Sequence, residues 1–237
     1  MTIWSDAVDT LRPGAGADGA LPPLLLLLTV VTGLVDAASF LNLGHVFVAN
    51  MTGNVVFLGF AIAGAKGLSA PASLLAIASF IAGSVAGGRL GVHYAEHRLQ
   101  LLRTALGVQL VVVAAAAAVA ALEGDPVDRT VRFALVAMLA LAMGVQNATV
   151  RRLAVPELTT TVLTMTLTGI GADSTLARGP GSKLGRRSLA IAAMLVGALV
   201  GAVLALHVDT AAALAAAAGV LAITALTAHR VSRARPA

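Results

Sequence analysis

Apolar residues dominate this chain in eight runs, which short polar or basic stretches separate. The runs lie at residues 21–43, 46–64, 72–92, 104–122, 133–150, 158–170, 188–208 and 210–228. Most of them approach the length of about 20 residues at which an apolar helix can cross a bilayer. The pattern therefore predicts an all-α fold, a polytopic transmembrane helical bundle.

Two of the apolar stretches carry an unusual number of polar side chains. Residues 33–54 read GLVDAASFLNLGHVFVANMTGN, and a related stretch begins at Gly144 with GVQNATVRRLAVPELTTTVLTMTLTG. Aligning Gly33 with Gly144 also aligns Asp36 with Asn147. Polar interruptions at corresponding places in two halves are typical of the binding sites of secondary transporters.

Glycines recur at every fourth position in the third and seventh runs, at Gly83, Gly87 and Gly91 and again at Gly197 and Gly201. This small-xxx-small spacing lets helix backbones approach closely in lipid. The two glycine seams occupy corresponding places, so the chain is predicted to contain two internal repeats. The seams are also a candidate surface for a homo-oligomer.

The predicted organisation has five parts. They are a flexible N-terminal tail at 1–20, a first transmembrane repeat at 21–122, a connector at 123–132, a second transmembrane repeat at 133–228 and a basic C-terminal tail at 229–237.

Two arrangements of the spans fit this organisation. In the favoured one, the second and sixth runs are broken or re-entrant segments, which leaves six spans and inverted repeats. The alternative has seven or eight full spans, and eight would make the repeats parallel. The 16 Lys and Arg residues divide 13 to 3 in the first arrangement and 11 to 5 with eight spans. Cytoplasmic loops are enriched in Lys and Arg, which favours the first arrangement and places both termini in the cytoplasm.

Composition narrows the class of protein. Hydrophobic residues make up 58% of the chain and charged residues 11%, against about 25% charged in a soluble domain. The lipid bilayer is therefore the expected environment. The high usage of Ala, Gly and of Arg over Lys suggests a GC-rich bacterium, so the expected location is a bacterial inner membrane. The net charge of +5 follows from the basic loops, and with 3% aromatics no nucleic-acid partner is expected.

Asp36 is the sharpest candidate for function, because an ionised Asp at a helix centre costs about 2.5–3.5 kcal/mol on insertion scales. It is a candidate for proton or cation coupling, and the alternative is a carboxyl that hydrogen-bonds another helix. The remaining candidates for a solute or ion site are neutral. They are Asn50, Thr52, Asn54, Gln146, Asn147, Thr160, Thr161 and Thr164.

Nothing in the chain predicts an enzyme. His93, Glu96 and His97 match the HxxEH spelling of a metalloprotease, but they lie in a short basic stretch without a convincing third ligand. We interpret this stretch as a solvated helix end. No catalytic residue, cofactor or metal is expected, and the absence of cysteine excludes thiolate sites.

The quoted motifs resemble those of the YoaK family of bacterial multi-pass membrane proteins, over residues 24–228. The motifs that carry the resemblance are GLVDAASFLNLGHVFVANMTGN, GVQNATVRRL and LTTTVLTMTLTG. The family's recurring residues correspond to Asp36, Phe47, Asn50, Thr52, Gly53, Asn54, Gln146, Asn147, Thr160 and Thr164. The resemblance implies a location and an architecture, and no activity.

The favoured function is transport of a small polar solute or ion through a site at the interface of the repeats, with Asp36 as a candidate for proton coupling. A passive channel with the same polar residues is one alternative. A membrane scaffold without transport is another.

Overall fold

A computed structural model describes residues 3–12, 18–124 and 126–234. Within these ranges the chain forms nine α-helices and a short 3-10 turn at Thr175–Ala177, without a strand. The all-α prediction is therefore confirmed. The helices are α1 (Ile3–Leu11), α2 (Leu21–Asn42), α3 (Met51–Ile62), α4 (Ala70–His93), α5 (Arg98–Glu123), α6 (Arg129–Leu153), α7 (Leu163–Ala172), α8 (Leu184–His207) and α9 (Thr210–Ala234).

Six of these helices are long and apolar enough to cross a membrane, namely α2, α4, α5, α6, α8 and α9. Helices α3 and α7 have 12 and 10 residues. At 1.5 Å per residue they rise only about 18 and 15 Å, well short of a hydrocarbon core of about 30 Å. The six-span prediction is confirmed, and the alternative of seven or eight full spans is not supported.

The second apolar run is shorter as a helix than the sequence predicts. Helix α3 begins only at Met51, because the chain leaves helical geometry after α2. Gly44 and His45 have φ values of 104° and 56°, in the left-handed region. The non-helical stretch of residues 43–50 between α2 and α3 places Val48, Ala49 and Asn50 beside Asp36.

Local signals set several helix ends. Pro22 and Pro23 occupy the first turn of α2, where no backbone donor is required. The Ser69 hydroxyl accepts a hydrogen bond from the Ala72 N–H at the start of α4. Asp128 caps α6 by accepting from the Thr130 N–H at 2.8 Å, and this bond lowers the pKa of the Asp128 carboxyl.

Side-chain contacts fix the directions of the six long helices. At one end of the bundle, Arg98 at the start of α5 pairs with Asp18 before α2 and donates to the Leu153 carbonyl at the end of α6. At the other end, Asn42 closes α2 and donates to the Ala205 carbonyl of α8. We name the first end the terminal face, because the described N- and C-terminal helices end there, and the second the distal face.

The chain therefore crosses the bundle six times. Helices α2, α5 and α8 run from the terminal face to the distal face, and α4, α6 and α9 run back. The segment of residues 43–62 leaves the distal face, turns inward to the level of Asp36 and returns to the same face. The segment of residues 154–172 does the same from the terminal face.

Glycines allow the closest helix contacts. A Cβ atom at Gly83 or Gly87 of α4 would overlap the Leu141 or Val145 carbonyl of α6. A Cβ atom at Gly197 or Gly201 of α8 would likewise overlap backbone atoms of α2. The glycine seams are thus used inside the chain. A homo-oligomer through the glycine-seam helices stays a prediction, and it would use faces of these helices other than the covered glycines.

Both predicted tails also need correction. Ile3–Leu11 is a helix that packs on α8, where the Arg186 N–H donates to the Asp6 carboxylate at 3.0 Å. At the other end, α9 continues to Ala234, because Arg103 of α5 contacts both His229 and Ser232. Residues 1–2, 13–17, 125 and 235–237 of the predicted tails and connector lie outside the described ranges.

We expect Gly83→Ala to destabilise the bundle by about 1–3 kcal/mol, because an added methyl group forces α4 away from α6. Thermal unfolding of the purified protein in nanodiscs would measure this loss. The matched control is Gly88→Ala on the same helix, whose Cβ meets no atom within 4 Å. Equal unfolding temperatures for the two variants would contradict the packing described here.

Candidate functional site

The polar motif of the first half is organised by Asp36. Its side chain is 5% exposed and lies six residues before the end of α2, about 9 Å below the distal face. One carboxylate oxygen accepts from the Val48 and Ala49 N–H groups, both at 2.8 Å. The other oxygen accepts from the Asn50 amide at 2.5 Å. The carboxylate thus fixes the position of the inward-turning segment.

Asn54 supports the same segment from α3. Its amide oxygen accepts from the Phe47 N–H at 2.8 Å, and its amide nitrogen donates to the Phe47 carbonyl at 2.6 Å. Residues 46–50 lie outside any helix or strand, so their backbone N–H and carbonyl groups are not paired by regular secondary structure. In a membrane such groups require a protein partner, because hydrocarbon supplies none. Asp36, Asn50 and Asn54 therefore hold the same inward-turning segment, through hydrogen bonds to one another or to its backbone.

A similar arrangement of neutral groups occurs in the second half of the chain. The Thr161 hydroxyl donates to the Asn147 amide oxygen at 2.6 Å, as Asn50 donates to Asp36 in the first half. Asn147 also donates to the Met143 carbonyl one turn earlier in α6. Asn147 lies six residues before the end of α6, about 9 Å below the terminal face.

Gln146 connects the two halves. Its amide nitrogen donates to the hydroxyls of Thr32 at 3.0 Å and Thr160 at 3.2 Å, and its amide oxygen accepts from Gln109 at 2.6 Å. All four side chains are buried. The two polar segments do not pair with each other, and the bonds of Asp36 and Asn147 stay within their own halves. The Gln146 network is a buried polar contact between the halves in the interior of the bundle.

Sequence reasoning missed two members of the network. Gln109 is the polar residue in the middle of the Val- and Ala-rich fourth run, and this isolation was an available signal. Thr32 lies one turn before Asp36, but threonine is common in membrane helices and gave no distinct signal. Two predicted site residues, Thr52 and Thr164, have exposed side chains and lie outside these networks.

An ion cluster at the terminal face was also missed. Arg187 of α8 is 4% exposed and donates to Glu157 at 2.8 Å and to Asp173 at 2.5 Å. Its guanidinium packs against Gly169 of α7, where a Cβ atom would overlap it. The cluster therefore joins both ends of the second polar segment to α8.

A cavity of about 800 Å³ opens beside the second polar segment. It lies between α4, α6 and residues 154–162, and Asn147 and Thr161 line it together with Ser84 and Thr159. Arg151 and Arg152 border it toward the terminal face, and most of the remaining wall is apolar.

The HxxEH spelling does not form a helical metal site. His93 ends α4, Tyr94 follows the helix, and His97 precedes α5, so the two histidines do not lie one turn apart on one helix. In the described ranges, no group of three or more His, Asp or Glu side chains could hold a metal ion.

Six apolar spans and two inward-turning polar segments define a polytopic helical membrane protein. The family described as "Protein of unknown function (DUF1275)" matches residues 24–227, and the chain belongs to this family. The chain is similar to the UPF0700 transmembrane protein YoaK of Bacillus subtilis (strain 168), with 34% identity over 153 residues. That match covers 63% of this chain and 65% of the relative, which is slightly under two thirds of its length. No solved structure matches the chain. The resemblance to the YoaK family is thereby confirmed.

We expect Asp36→Leu to release the segment of residues 46–50, because three donors lose a charged acceptor and each such bond contributes about 1.5–3 kcal/mol. The reporter is Ala49→Cys in this cysteine-free chain, since Ala49 is 3% exposed. A thiol reagent should label this position in the Asp36→Leu background and leave it protected when Asp36 is present.

The matched variant is Asp36→Asn, whose amide oxygen can still accept from the Val48 and Ala49 N–H groups. We expect its labelling and its unfolding temperature to lie between those of Asp36→Leu and the unchanged protein. Full protection in Asp36→Leu would show that the carboxylate does not position the segment.

Proposed function

We propose that this protein transports a small polar solute or ion across the membrane through a site at the interface of its two halves. The observation that carries the proposal is the buried Gln146 network beside the cavity of about 800 Å³. Buried polar side chains in spanning helices are costly, and those that line cavities commonly mark solute pathways. Next to this network, the hydrogen-bonded pair Asn147 and Thr161 lines the cavity wall.

We further infer that the halves are inverted repeats. Helices α2 and α6 run in opposite directions, and each packs in parallel against the glycine-seam helix of the other half, α8 and α4 respectively. Their polar pairs match, with Asp36–Asn50 in one half and Asn147–Thr161 in the other. Inverted repeats with interrupted helices are a recurring design of secondary transporters, which supports the proposed function.

The proposed orientation places the terminal face, and therefore both termini, in the cytoplasm. In the described ranges Lys66, Arg129 and Arg132 are the basic residues of the distal face, and the other 12 described Lys and Arg residues belong to loops and ends of the terminal face. Because short cytoplasmic loops attract Lys and Arg, this distribution favours a cytoplasmic terminal face.

Proton coupling through Asp36 stays a prediction. The three hydrogen bonds that Asp36 accepts give this buried carboxylate a structural role. The transport proposal therefore does not depend on proton coupling. A passive channel would use the same polar residues and differs in the absence of uphill accumulation. A non-transporting scaffold would leave the cavity without a role.

Single-cysteine labelling of intact cells tests the orientation. Lys66→Cys lies between α3 and α4 at the distal face, and Leu176→Cys lies between α7 and α8 at the terminal face; both positions are exposed. We expect an impermeant thiol reagent to label Lys66→Cys in intact cells and Leu176→Cys only after permeabilisation. Labelling of both positions from outside would contradict the inverted arrangement.

Gln146→Leu tests the transport site in proteoliposomes. Stopped-flow light scattering with a panel of small neutral solutes, and membrane currents with a panel of ions, would identify a transported species. We then expect Gln146→Leu to lower its flux about tenfold or more, since buried partners left unpaired cost about 1–3 kcal/mol. Counterflow against a gradient would separate a transporter from a channel.

The control is Gln100→Leu, an exposed position near the start of α5. It makes the same chemical change outside the Gln146 network. Equal flux in liposomes with and without the protein, across both panels, would overturn the transport proposal and favour the scaffold.

A further inference from the structure

Helix α6 carries an arginine pair at each end. Arg129 and Arg132 lie in its first turn at the distal face, and Arg151 and Arg152 lie in its last turn at the terminal face. Each pair borders a cavity. The terminal cavity is the space of about 800 Å³ described above, and the distal cavity measures about 210 Å³.

The terminal cavity is cationic. Among its described lining residues there is no carboxylate to offset Arg151 and Arg152. The nearby Glu157 is already paired with Arg187 and with Lys183. Both Arg151 and Arg152 are exposed, and within the described ranges neither forms a side-chain hydrogen bond or ion pair. Two guanidinium groups are therefore available at the mouth of this cavity.

A further donor lies one turn deeper. Asn147 donates to the Met143 carbonyl, and a side-chain amide has two N–H bonds, so the second remains available toward the cavity. Ser84 and Thr159 add hydroxyls. Phe80, Val92 and Leu158 contribute apolar wall. The cavity thus combines two cations, neutral polar groups and apolar surface.

The distal arginines need a separate explanation. A basic terminal face follows from the positive-inside rule, but this rule gives no reason for arginines on the distal face. A helix N-terminus also disfavours cations, because its exposed N–H groups already carry partial positive charge. Arg129 and Arg132 nevertheless occupy the first turn of α6, and both line the distal cavity with Ser69 and Phe133.

The Arg132 guanidinium also has one N–H group without a hydrogen-bond acceptor. Its terminal nitrogen donates to the Val127 carbonyl, but its Nε is buried without any hydrogen-bond acceptor. The described residues that line the distal cavity include no carboxylate. Asp128, which caps α6, attracts Arg132 from outside this lining but accepts no hydrogen bond from its Nε. A buried guanidinium donor without an acceptor is costly unless a ligand supplies one.

We propose that the transported solute is a small organic anion, which the arginine pairs of α6 receive at both faces of the membrane. This inference rests on the transport function proposed above. Guanidinium groups bind carboxylate, sulfonate and phosphate groups through charge-assisted hydrogen bonds, while the apolar walls accept the rest of the solute. An anionic lipid is a poorer occupant, because its acyl chain would lie against the amide of Asn147 inward of the arginines.

Binding of benzenesulfonate to the full chain in phosphatidylcholine nanodiscs tests the proposal. This probe is a permanent anion with an apolar ring, and benzenesulfonamide is its neutral counterpart. We expect benzenesulfonate to raise the unfolding temperature in a concentration-dependent manner, and benzenesulfonamide to have little effect. The double change Arg151→Gln with Arg152→Gln should weaken binding at the terminal cavity about tenfold or more, and Arg132→Gln should do the same at the distal cavity. Each variant should then keep only the stabilisation that comes from the other cavity.

Two controls remove one positive charge outside the lining of the described cavities. Arg230→Gln lies on the terminal face, and Lys66→Gln lies on the distal face; both side chains are exposed. We expect both to bind benzenesulfonate as the unchanged protein does. Weakening in the controls equal to that in the cavity variants would assign the effect to general surface charge and overturn the proposal.

The other outcomes are equally decisive. Equal binding of the neutral probe, or no binding of either probe at millimolar concentration, overturns the anion inference. Loss of benzenesulfonate binding in nanodiscs that contain phosphatidylglycerol assigns the arginines to a lipid headgroup and also overturns it. The transport proposal is judged separately, because flux of a neutral solute that depends on Gln146 would survive each of these results.

Discussion

The fold depends on one constraint, which is that hydrocarbon offers no hydrogen-bond partner to a backbone outside a helix. Residues 46–50 are non-helical and reach about 9 Å below the distal face, so their N–H groups must find acceptors within the protein. Asp36 meets this requirement with a single side chain, and Asn54 satisfies the adjoining Phe47 at both its N–H and its carbonyl. The three hydrogen bonds that the Asp36 carboxylate accepts offset the free-energy cost of burying it in the membrane.

Close helix packing supplies the frame in which these segments lie. Each glycine-seam helix packs on the first long helix of the other half, so the two halves interlock instead of standing side by side. A movement of one half as a rigid body would have to separate α4 from α6 and α2 from α8, where backbones touch. The inward-turning segments, which are bound to the frame mainly by side-chain hydrogen bonds, are the parts that can move at lower cost.

Much of this frame could be predicted from the sequence. The long apolar runs predicted the helices without any analysis of periodicity. The glycine spacing predicted close helix contacts, and the division of Lys and Arg favoured six spans over eight. The correspondence of Asp36 with Asn147 located both polar segments. Sequence could not show that Asn50 and Thr161 are the partners of these two residues, because that pairing depends on where the chain turns after α2 and α6.

The misses have physical reasons as well. Gln109 and Gln146 are separated by 37 residues and meet only because α5 and α6 pack together. Arg187 reads as one more basic loop residue in sequence, whereas in the structure α8 begins before it and buries it against Gly169. The tails were mispredicted since α1 and the end of α9 gain their stability from contacts with α8 and α5, which no local pattern reveals.

The two halves share a frame but differ in how firmly the inward-turning segment is fixed. In the first half a charged carboxylate, largely removed from solvent, fixes residues 48–50. In the second half Asn147 and Thr161 make a neutral bond, which is roughly half as strong as a charge-assisted one. Thr160 beside them has a φ of 63°, a conformation that is strained for a β-branched residue.

The second segment also adjoins the larger cavity, and its remaining support is the Arg187 cluster near the terminal face. Asp173 in that cluster has a side chain that is 40% exposed, so solvent and salt weaken its attraction to Arg187. Weaker bonds, local strain and an adjacent open space all fall on the same side of the molecule. The segment of residues 154–172 is therefore the less firmly held of the two, and the first segment is its more rigid counterpart.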